Sequence, residues 1–363
     1  MENLGKLGNN MIDLSFYKGK KVFITGHTGF KGVWLTKILL DAGAIIKGYS
    51  LQAEENSLFK KISLDKKIDS VCGDIRDFEK LKTEFENFGA EIVIHMAAQA
   101  LVRESYKNPQ YTYETNVMGT VNILECVRNS NTVKSFINIT TDKVYENIEN
   151  ENVIPKAFKE EDKLNGRDPY SNSKSCSELV TSSYKQSFFE ETDIAISTVR
   201  AGNVIGGGDR AKDRIIPDCV NAAKNNQKIV VRNPYSIRPY QHVLEALMVY
   251  LLIAEKQYSN KGYSGNYNVG SSSEDIVMTK DLVNIFCEKW GNGLEWIDVS
   301  ERKEPYESKC LMLDCSKVKE VFSWNPKWDI EKTVESIVEF EKYDQTKLEE
   351  CMENQINRFL KEK

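Results

Sequence analysis

KVFITGHTGFKG, residues 21–32, decides the fold of this chain. Its apolar start, Lys21–Thr25, is typical of a buried strand, and a helix pattern follows from Gly32 to Ala42. The turn between them has the spacing T-G-x-x-G-x-x-G. Glycines there let a pyrophosphate approach the backbone and meet the free N–H groups of a helix N-terminus. The stretch predicts dinucleotide binding rather than a purely structural turn, through Gly26, Thr28, Gly29, Phe30, Lys31 and Gly32.

The first half of the chain alternates strand and helix patterns. Such alternation implies crossover connections and a parallel sheet, so the expected class is α/β, a Rossmann-type doubly wound parallel sheet with a smaller mixed α/β lobe. The predicted strands are Lys21–Thr25, Ala44–Ser50, Ser70–Gly73, Ile92–Met96, Phe136–Thr140 and Ile194–Arg200. The predicted helices are Gly32–Ala42, Phe78–Phe88, Pro109–Asn129 and Tyr170–Phe188.

After Arg200, shorter elements and glycine-rich loops replace the regular alternation of strands and helices. We therefore expect residues 1–200 to form the dinucleotide-binding domain, with a returning segment near 238–270 that adds a strand at Tyr267–Val269. Residues 201–363 are expected to form the smaller, substrate-binding lobe. The highly charged stretch from Lys342 to Lys363 predicts a surface helix or a frayed tail.

Composition excludes several classes of function. The 363 residues carry a formal net charge of -5, which argues against a nucleic-acid partner. Eight cysteines without a C-x-x-C pair, and three histidines, argue against a metal site. Scattered cysteines are typical of reduced thiols in a cytoplasm. Residues 1–10 lack the apolar core of a signal peptide, and no apolar run approaches the ~18 residues of a membrane span. We expect a cytoplasmic enzyme without a membrane partner.

The second and third strands bear on the identity of the dinucleotide. Ser50 ends the second strand and Leu51-Gln52 follows, so the usual acidic residue for the adenosine ribose is missing. No Arg or Lys follows to hold a 2′-phosphate, and NAD remains the expected cofactor. After the third strand, Asp74 is positioned to accept a hydrogen bond from the adenine amino group, with Ile75 beside it. The alternative is that Asp74 caps the helix that follows.

Tyr170 and Lys174 are four residues apart and share one face of a predicted helix. A free phenol has a pKa of about 10. A nearby ammonium, together with a positive nicotinamide ring, favours the phenolate and lets Tyr170 act as a base. Thr141 follows the fifth predicted strand, where catalytic groups gather in such sheets, and can hydrogen-bond the same substrate hydroxyl. An exposed tyrosine with an unrelated surface lysine is the alternative.

This order of strand, hydroxyl residue, Tyr and Lys resembles the short-chain dehydrogenase/reductase superfamily. Within it, the chain resembles the CDP-D-glucose 4,6-dehydratases, from about Tyr17 to Val338. The matching segments are residues 26–32, 97–103, 115–120, 141–143, 200–209 and 238–243. Asp142-Lys143 is the best discriminator, since related dehydratases usually have Asp-Glu there. Arg210 and Tyr240 depart from the family pattern, near the expected nucleotide pocket.

The resemblance implies NAD-dependent dehydration of CDP-D-glucose to CDP-4-dehydro-6-deoxy-D-glucose, in deoxysugar biosynthesis. Tyr170 would take the C4 hydroxyl proton, Lys143 the C5 proton, and Asp142 would protonate the departing C6 hydroxyl. A solvated ion pair is the alternative for the Asp142-Lys143 pair. The resemblance also places Ala97, Ala98, Gln99 and Asn116 at the cofactor, and Arg103, Asn203, Arg214 and Arg238 at the nucleotide-sugar substrate.

Two other functions remain open. A nucleotide-sugar 4-epimerase or reductase on the same scaffold would keep Thr141, Tyr170 and Lys174 without needing Asp142-Lys143. A non-catalytic NAD(P)-binding regulator would commonly lose the Tyr or the Lys, and both are present. By analogy with the superfamily, we expect a homodimer or homotetramer that pairs through Pro109–Asn129 and Ser171–Phe188.

Overall fold

The computed structural model describes residues 12–148, 156–272, 276–301 and 308–362. The N-terminal residues Met1–Asn10, where no leader is expected, lie outside that part. Its strands are β1 (Lys21–Thr25), β2 (Ile45–Ser50), β3 (Asp69–Cys72), β4 (Ile92–His95), β5 (Ser135–Ile139), β6 (Ala195–Ala201), β7 (Val204–Ile205), β8 (Ile229–Val231), β9 (Ile237–Arg238), β10 (Gln241–His242), β11 (Asn266–Val269), β12 (Val277–Met278) and β13 (Trp296–Asp298).

The helices alternate with these strands through the first half of the chain. They are α1 (Phe30–Asp41), α2 (Leu58–Lys61), α3 (Phe78–Phe88), α4 (Val102–Lys107), α5 (Pro109–Tyr113), α6 (Gly119–Arg128), α7 (Pro169–Tyr184), α8 (Ile215–Lys224), α9 (Val243–Ser259), α10 (Thr279–Trp290), α11 (Ser316–Phe322), α12 (Ile330–Lys342) and α13 (Leu348–Lys361).

The central sheet has seven strands in the order β11-β6-β5-β4-β1-β2-β3 within the described residues. Every pairing in it is parallel, which confirms the expected doubly wound class. Alternate side chains of a strand point to opposite faces. Val22 and Ile24 accordingly pack with α1 and α9 on one face, and Phe23 packs with α3 and α6 on the other.

The predicted elements agree with the structure within a residue or two at most ends, and α3 has the predicted bounds. The long helix predicted at Pro109–Asn129 is interrupted by a π-helical turn at Glu114–Met118. The helix predicted to end at Phe188 finishes in a similar turn, Lys185–Phe189. The strand expected near Tyr267 is β11, which pairs with β6. Helix α4 was not predicted.

The second half contributes to two apolar clusters. Side chains of α8, α10 and α12 form a cluster of their own with β8. Helix α13 instead joins the cluster on the central sheet through Leu348, Met352 and Phe359. The charged C-terminal stretch is therefore a docked amphipathic helix, and the frayed-tail alternative is wrong. The domain division at residue 200 stays a prediction.

Strands β1, β4, β5 and β6 end at the same edge of the sheet because they are parallel and adjacent. Ligands of such sheets bind at this edge, where the connections diverge to opposite faces. Helix α9 packs behind it, against β5, β6 and α1. Across the described ranges, no helix is long and apolar enough to cross a membrane.

Candidate active site

The glycine turn between β1 and α1 has the geometry of a phosphate cradle. Gly26 has φ +77°, and a Cβ there would lie 2.8 Å from the backbone nitrogen of Ala97. A Cβ on Gly32 would overlap the carbonyl oxygen of Gly26. Gly29 caps α1 without a side-chain hydrogen bond, so no side chain covers the N–H groups of the first turn. These features fit the diphosphate of a dinucleotide.

The other predicted cofactor residues surround this turn. Thr28 ties it to the end of β2 through a 2.8 Å hydrogen bond with Ser50. The Ala97 amide donates to the Thr25 hydroxyl at 3.1 Å, and Ala98 follows in the same loop. The backbone N–H of Gln99 donates to the side-chain oxygen of Asn116 at 2.8 Å, and the side-chain nitrogen of Asn116 donates to the Ser173 hydroxyl at 2.8 Å. Asn116 thus links the loop after β4 to α7.

Asp74 and Ile75 follow β3, as the sequence predicted. Asp74 accepts hydrogen bonds from the backbone N–H and the guanidinium of Arg76, and that interaction lowers the pKa of its carboxyl group. The N-cap of α3 is Asp77, so the expectation that Asp74 caps the helix is wrong. Ile75 is buried against Gly119 of α6.

Helix α7 brings Tyr170 and Lys174 to the sheet edge. Asp168 caps its N-terminus by accepting from the Ser171 N–H at 3.0 Å, which places Tyr170 in the first turn. Lys174 is buried and donates to the carbonyl oxygen of Ile139, the last residue of β5, at 3.0 Å. Burial lowers the pKa of Lys174 to about 8, against the opposing charge of Glu178.

A buried ion pair supports this helix from behind. Arg200 on β6 contacts Glu178 on α7 at 2.9 Å, and both side chains are almost fully buried. Glu178 also accepts from the Thr140 hydroxyl at the end of β5. The pair fixes α7 against both strands, so the positions of Tyr170 and Lys174 depend on it.

Burial dominates the electrostatics of Tyr170. It raises the pKa of the phenol to about 12, although the hydrogen bond with Thr141 and the charge of Arg214 act to lower it. The sequence led us to expect neighbouring positive charge to favour the phenolate. In this structure the loss of solvent outweighs those charges, so the neutral phenol is favoured.

Thr141, Asp142 and Lys143 follow β5, and the last two begin a single 3₁₀ turn. The Thr141 hydroxyl donates to Oδ1 of Asp142 at 3.0 Å. Asp142 is 2% exposed, and its Oδ2 has no hydrogen-bond partner among the described residues. The alternative of a solvated ion pair is therefore wrong for Asp142. A buried, unpaired carboxylate oxygen is costly unless a ligand contacts it.

These residues open into one cavity of about 260 Å³. Thr141, Asp142, Lys143 and Tyr170 line it. The four predicted substrate residues also line it, namely Arg103, Asn203, Arg214 and Arg238. The structure thus brings four of the five predicted catalytic residues together with the predicted substrate residues, although they come from distant parts of the sequence. The fifth, Lys174, is not among the residues that line this cavity.

Acidic neighbours orient the arginines of the cavity. Arg214 contacts Asp209 at 3.1 Å and also lines the cavity. Arg103 lies 3.8 Å from Asp213. Arg238 is almost fully buried and donates to the carbonyl oxygen of Ile237 at 2.9 Å. Fixed guanidinium groups of this kind suit bidentate binding of phosphate.

Sequence reasoning missed Arg232, which also lines the cavity and contacts Asp213 and Asp218 at 2.8 and 2.9 Å. Arg232 directly follows the end of β8, and this position at the end of a strand could have marked it as a site residue, as it did for Asp74 near the end of β3. Tyr240 lines the cavity as expected. Arg210 does not belong to the lining; it binds Glu341 at 2.7 Å instead, so the expectation that it borders the nucleotide pocket is corrected.

A parallel doubly wound sheet with Thr, Tyr and Lys at its carboxyl edge defines a class, the extended short-chain dehydrogenases/reductases. The chain belongs to the GDP-mannose 4,6 dehydratase family, whose sequence model matches residues 23–337. A CDP-glucose 4,6-dehydratase from Salmonella typhimurium is 46% identical over 339 residues, which cover 92% of this chain and 93% of that protein. The family is one of nucleotide-sugar 4,6-dehydratases, as the resemblance implied.

Solved structures confirm the fold. The dTDP-glucose 4,6-dehydratase of Bacillus anthracis, in complex with NAD, superposes with a TM-score of 0.75 at 20% identity, over 90% of this chain and 98% of that one. The UDP-glucose 4-epimerase of Thermotoga maritima, with UDP-glucose, gives 0.74 at 23% identity, over 88% and 97%. Dehydratases and epimerases thus share this architecture, and the fold does not separate the two activities.

Proposed function

We propose that the protein is an NAD-dependent dehydratase that converts CDP-D-glucose to CDP-4-dehydro-6-deoxy-D-glucose. The observation that carries the proposal is the unpaired, buried Oδ2 of Asp142, which lines one cavity with Lys143 and Tyr170. An epimerase needs no acid and base at this position, whereas elimination of water needs both. The 46% identity to a CDP-glucose 4,6-dehydratase supports the choice of sugar nucleotide.

NAD fits the site. The uncapped first turn of α1 and the close approach of Gly26 to Ala97 leave room for a diphosphate, and buried Lys174 would hold the nicotinamide ribose hydroxyls. A bound NAD would supply reversible hydride transfer and a positive ring that lowers the cost of a Tyr170 phenolate.

Tyr170 is the proposed base for the C4 hydroxyl, and Thr141 hydrogen-bonds the same region of the substrate. The Thr141 hydroxyl contacts both Tyr170 and Asp142. A sugar hydroxyl that takes the place of one of these hydrogen bonds would therefore have polar partners on both sides. Burial excludes water from the phenol and keeps the transferred proton within this group.

Lys143 and Asp142 carry out the elimination. A ketone at C4 acidifies the C5 proton, which the Lys143 amine takes in its neutral form. Asp142, protonated at that moment, gives its proton to the C6 hydroxyl as water leaves. Its unpaired Oδ2 is the oxygen available for this transfer. Each group thus acts on a different carbon, and one cavity holds both.

Positive charge in the cavity is proposed to bind the nucleotide. Two phosphates of a CDP-sugar match the guanidinium groups of Arg103, Arg214, Arg232 and Arg238, and Asn203 offers an amide to the sugar or the base. The carboxylates of Asp209 and Asp213 hold Arg214 and Arg232 in place before the phosphates arrive. Fewer side-chain rotamers then have to be fixed on binding.

The proposal predicts the outcome of a substrate panel. Purified protein incubated with CDP-, dTDP-, GDP- and UDP-hexoses should remove one water from CDP-D-glucose, as seen by mass spectrometry. Absorbance of NADH should not grow in proportion to product, because the hydride returns in each cycle. Stoichiometric release of NADH would contradict a dehydratase and favour an ordinary dehydrogenase. An isomer of unchanged mass would favour a 4-epimerase.

We further propose that the protein works in the cytoplasm as a homodimer or homotetramer. All eight cysteines are free thiols, which supports a reducing compartment. The two helices expected to pair carry large exposed apolar side chains, since Met118, Leu179 and Phe188 are 50%, 57% and 47% exposed. Met118 lies in the turn before α6 and Phe188 in the turn after α7. Helices α6 and α7 pack against each other, and we propose that these side chains contribute to one pairing surface.

Leu179→Glu combined with Phe188→Glu is therefore expected to convert the oligomer into monomers, because two charges would have to be desolvated in the interface. Analytical ultracentrifugation gives the mass of the species directly. Val321→Glu, at an exposed apolar residue of α11, is the matched control and should leave the oligomer intact. An unchanged oligomer in the double variant would rule out this surface.

A further inference from the structure

Lys31 is a partly buried amine that the proposed reaction does not use. It is the second residue of α1, and its side chain reaches the cavity that Thr141, Asp142 and Tyr170 line. The Lys31 amine makes no hydrogen bond or ion pair with any residue in the described part of the chain; its recorded contact is the ring of Tyr250, at 5.8 Å from the centroid. An amine that lines a cavity without an acceptor from the protein is available to respond to what the cavity binds.

The groups around Lys31 come from four other elements. Lys174 of α7 and Arg214 before α8 are positive, and Asp142 after β5 is negative. Tyr250 of α9 is fully buried, and its hydroxyl has no hydrogen-bond partner among the described residues. Burial lowers the pKa of Lys31 the most, the charges of Lys174 and Arg214 lower it further, and the charge of Asp142 raises it. Together they lower the pKa of the Lys31 amine to about 7.

We propose that Lys31 compensates the charge of the cofactor, being held as a neutral amine beside oxidised NAD and exchanging its proton freely with solvent beside the reduced form. The inference rests on the proposed binding of NAD at this cavity. Lys174 is proposed to hold the nicotinamide ribose, and Lys31 lies within the electrostatic range of Lys174. A positive nicotinamide ring there repels an ammonium, whereas the neutral ring of NADH does not.

The three histidines do not contribute to a pH dependence of NAD binding near neutrality. Burial lowers the pKa of His27 to about 4 and those of His95 and His242 to about 3, so none of them titrates near neutrality. Lys174 does titrate close by, with a pKa of about 8. It is present in wild type and in every Lys31 variant, so comparison of these proteins isolates the contribution of Lys31.

The sign of the pH dependence follows from linkage. Oxidised NAD binds the form of the protein with neutral Lys31, so protons compete with it, and its affinity falls as the pH drops through the Lys31 pKa of about 7. One competing proton at that pKa makes the dissociation constant about tenfold larger at pH 6 than at pH 8. Binding of NAD at pH 7 should release about half a proton. NADH should show neither effect from Lys31.

Isothermal titration calorimetry of the full-length protein, in two buffers of different ionisation enthalpy, measures both quantities for NAD and NADH. Lys31→Met keeps the length of the side chain and removes the charge. In this variant the proton release due to Lys31 should disappear and NAD should bind equally at pH 6 and pH 8, apart from the change due to Lys174. Lys31→Arg keeps a permanent charge, and should bind NAD at pH 8 more weakly than wild type does even at pH 6, with NADH little affected.

Three results would overturn the inference. One is the same dependence of NAD affinity on pH, between pH 6 and pH 8, in wild type and in Lys31→Met. Another is equal proton release by wild type and Lys31→Met. The third is an unchanged ratio of NAD to NADH affinity in Lys31→Arg, provided that its thermal unfolding remains cooperative. Failure of either dinucleotide to bind wild type is a distinct result, which contradicts the proposed function itself.

Discussion

Replacement of Tyr170 by phenylalanine is expected to lower the rate of dehydration about 10²–10⁴-fold, the usual cost of losing one catalytic base. The ring is retained, so packing at this buried position changes little. The phenol oxygen is lost, and with it the acceptor for the C4 hydroxyl proton. Turnover of CDP-D-glucose, followed by mass spectrometry, measures the effect. Titration with the nucleotide sugar should show nearly unchanged binding, because the cavity arginines remain.

Lys174→Ala gives the contrast for this prediction. The Lys174 amine is proposed to act on both the cofactor and the electrostatics of the base, so its loss should weaken NAD binding as well as turnover. It also leaves the carbonyl oxygen of Ile139 without its donor. A Tyr170→Phe variant with nearly wild-type rate would contradict the catalytic assignment of Tyr170, whatever the result for Lys174.

Replacement of Lys143 by methionine is expected to stop the reaction after its first step. Tyr170 and Thr141 still support oxidation at C4, so an absorbance of reduced cofactor should appear when substrate is added. Water loss should slow by ~10²–10⁴, since the base for the C5 proton is gone. Wild type should incorporate solvent deuterium at C5 as product forms, and the variant should fail to do so.

Lys212→Met provides a matched control for Lys143→Met. Lys212 also borders the cavity and carries the same charge, yet it has no part in the proposed elimination. Its loss should leave deuterium incorporation at C5 unchanged. If Lys143→Met eliminates water at the normal rate, Lys143 is only a loop cation, and the C5 proton leaves by another route, through Asp142 or Tyr170.

The regular part of the fold could be predicted because its signals are local. The apolar run Lys21–Thr25 and the glycine spacing after it each lie within a few consecutive residues. The sequence of helix α3 shows a regular spacing of apolar residues that is typical of a helix. The position of β11 beside β6 joins residues far apart in the chain. The sequence predicted this return from glycine punctuation and the crossover pattern. Helix α4 is short and lacks a clear period, and it escaped prediction.

The types of residue in the site were also predictable, because motifs after successive parallel strands meet at one edge. Arg210 and Arg232 mark the limit of that reasoning. Both are arginines in the same stretch, yet Arg210 binds Glu341 of α12 and Arg232 faces the cavity. The direction of a long side chain depends on which carboxylate the fold brings near it, and spacing along the chain does not reveal that.

The sequence by itself determined the scaffold, the glycine turn and the identities of Thr141, Asp142, Lys143, Tyr170 and Lys174. Tertiary structure alone decided how these groups ionise. Burial raises the pKa of Tyr170 to about 12 and lowers that of Lys31 to about 7, and it leaves Oδ2 of Asp142 without a partner. The reason is physical: desolvation depends on every atom packed around a group, and most of those atoms belong to residues distant in sequence.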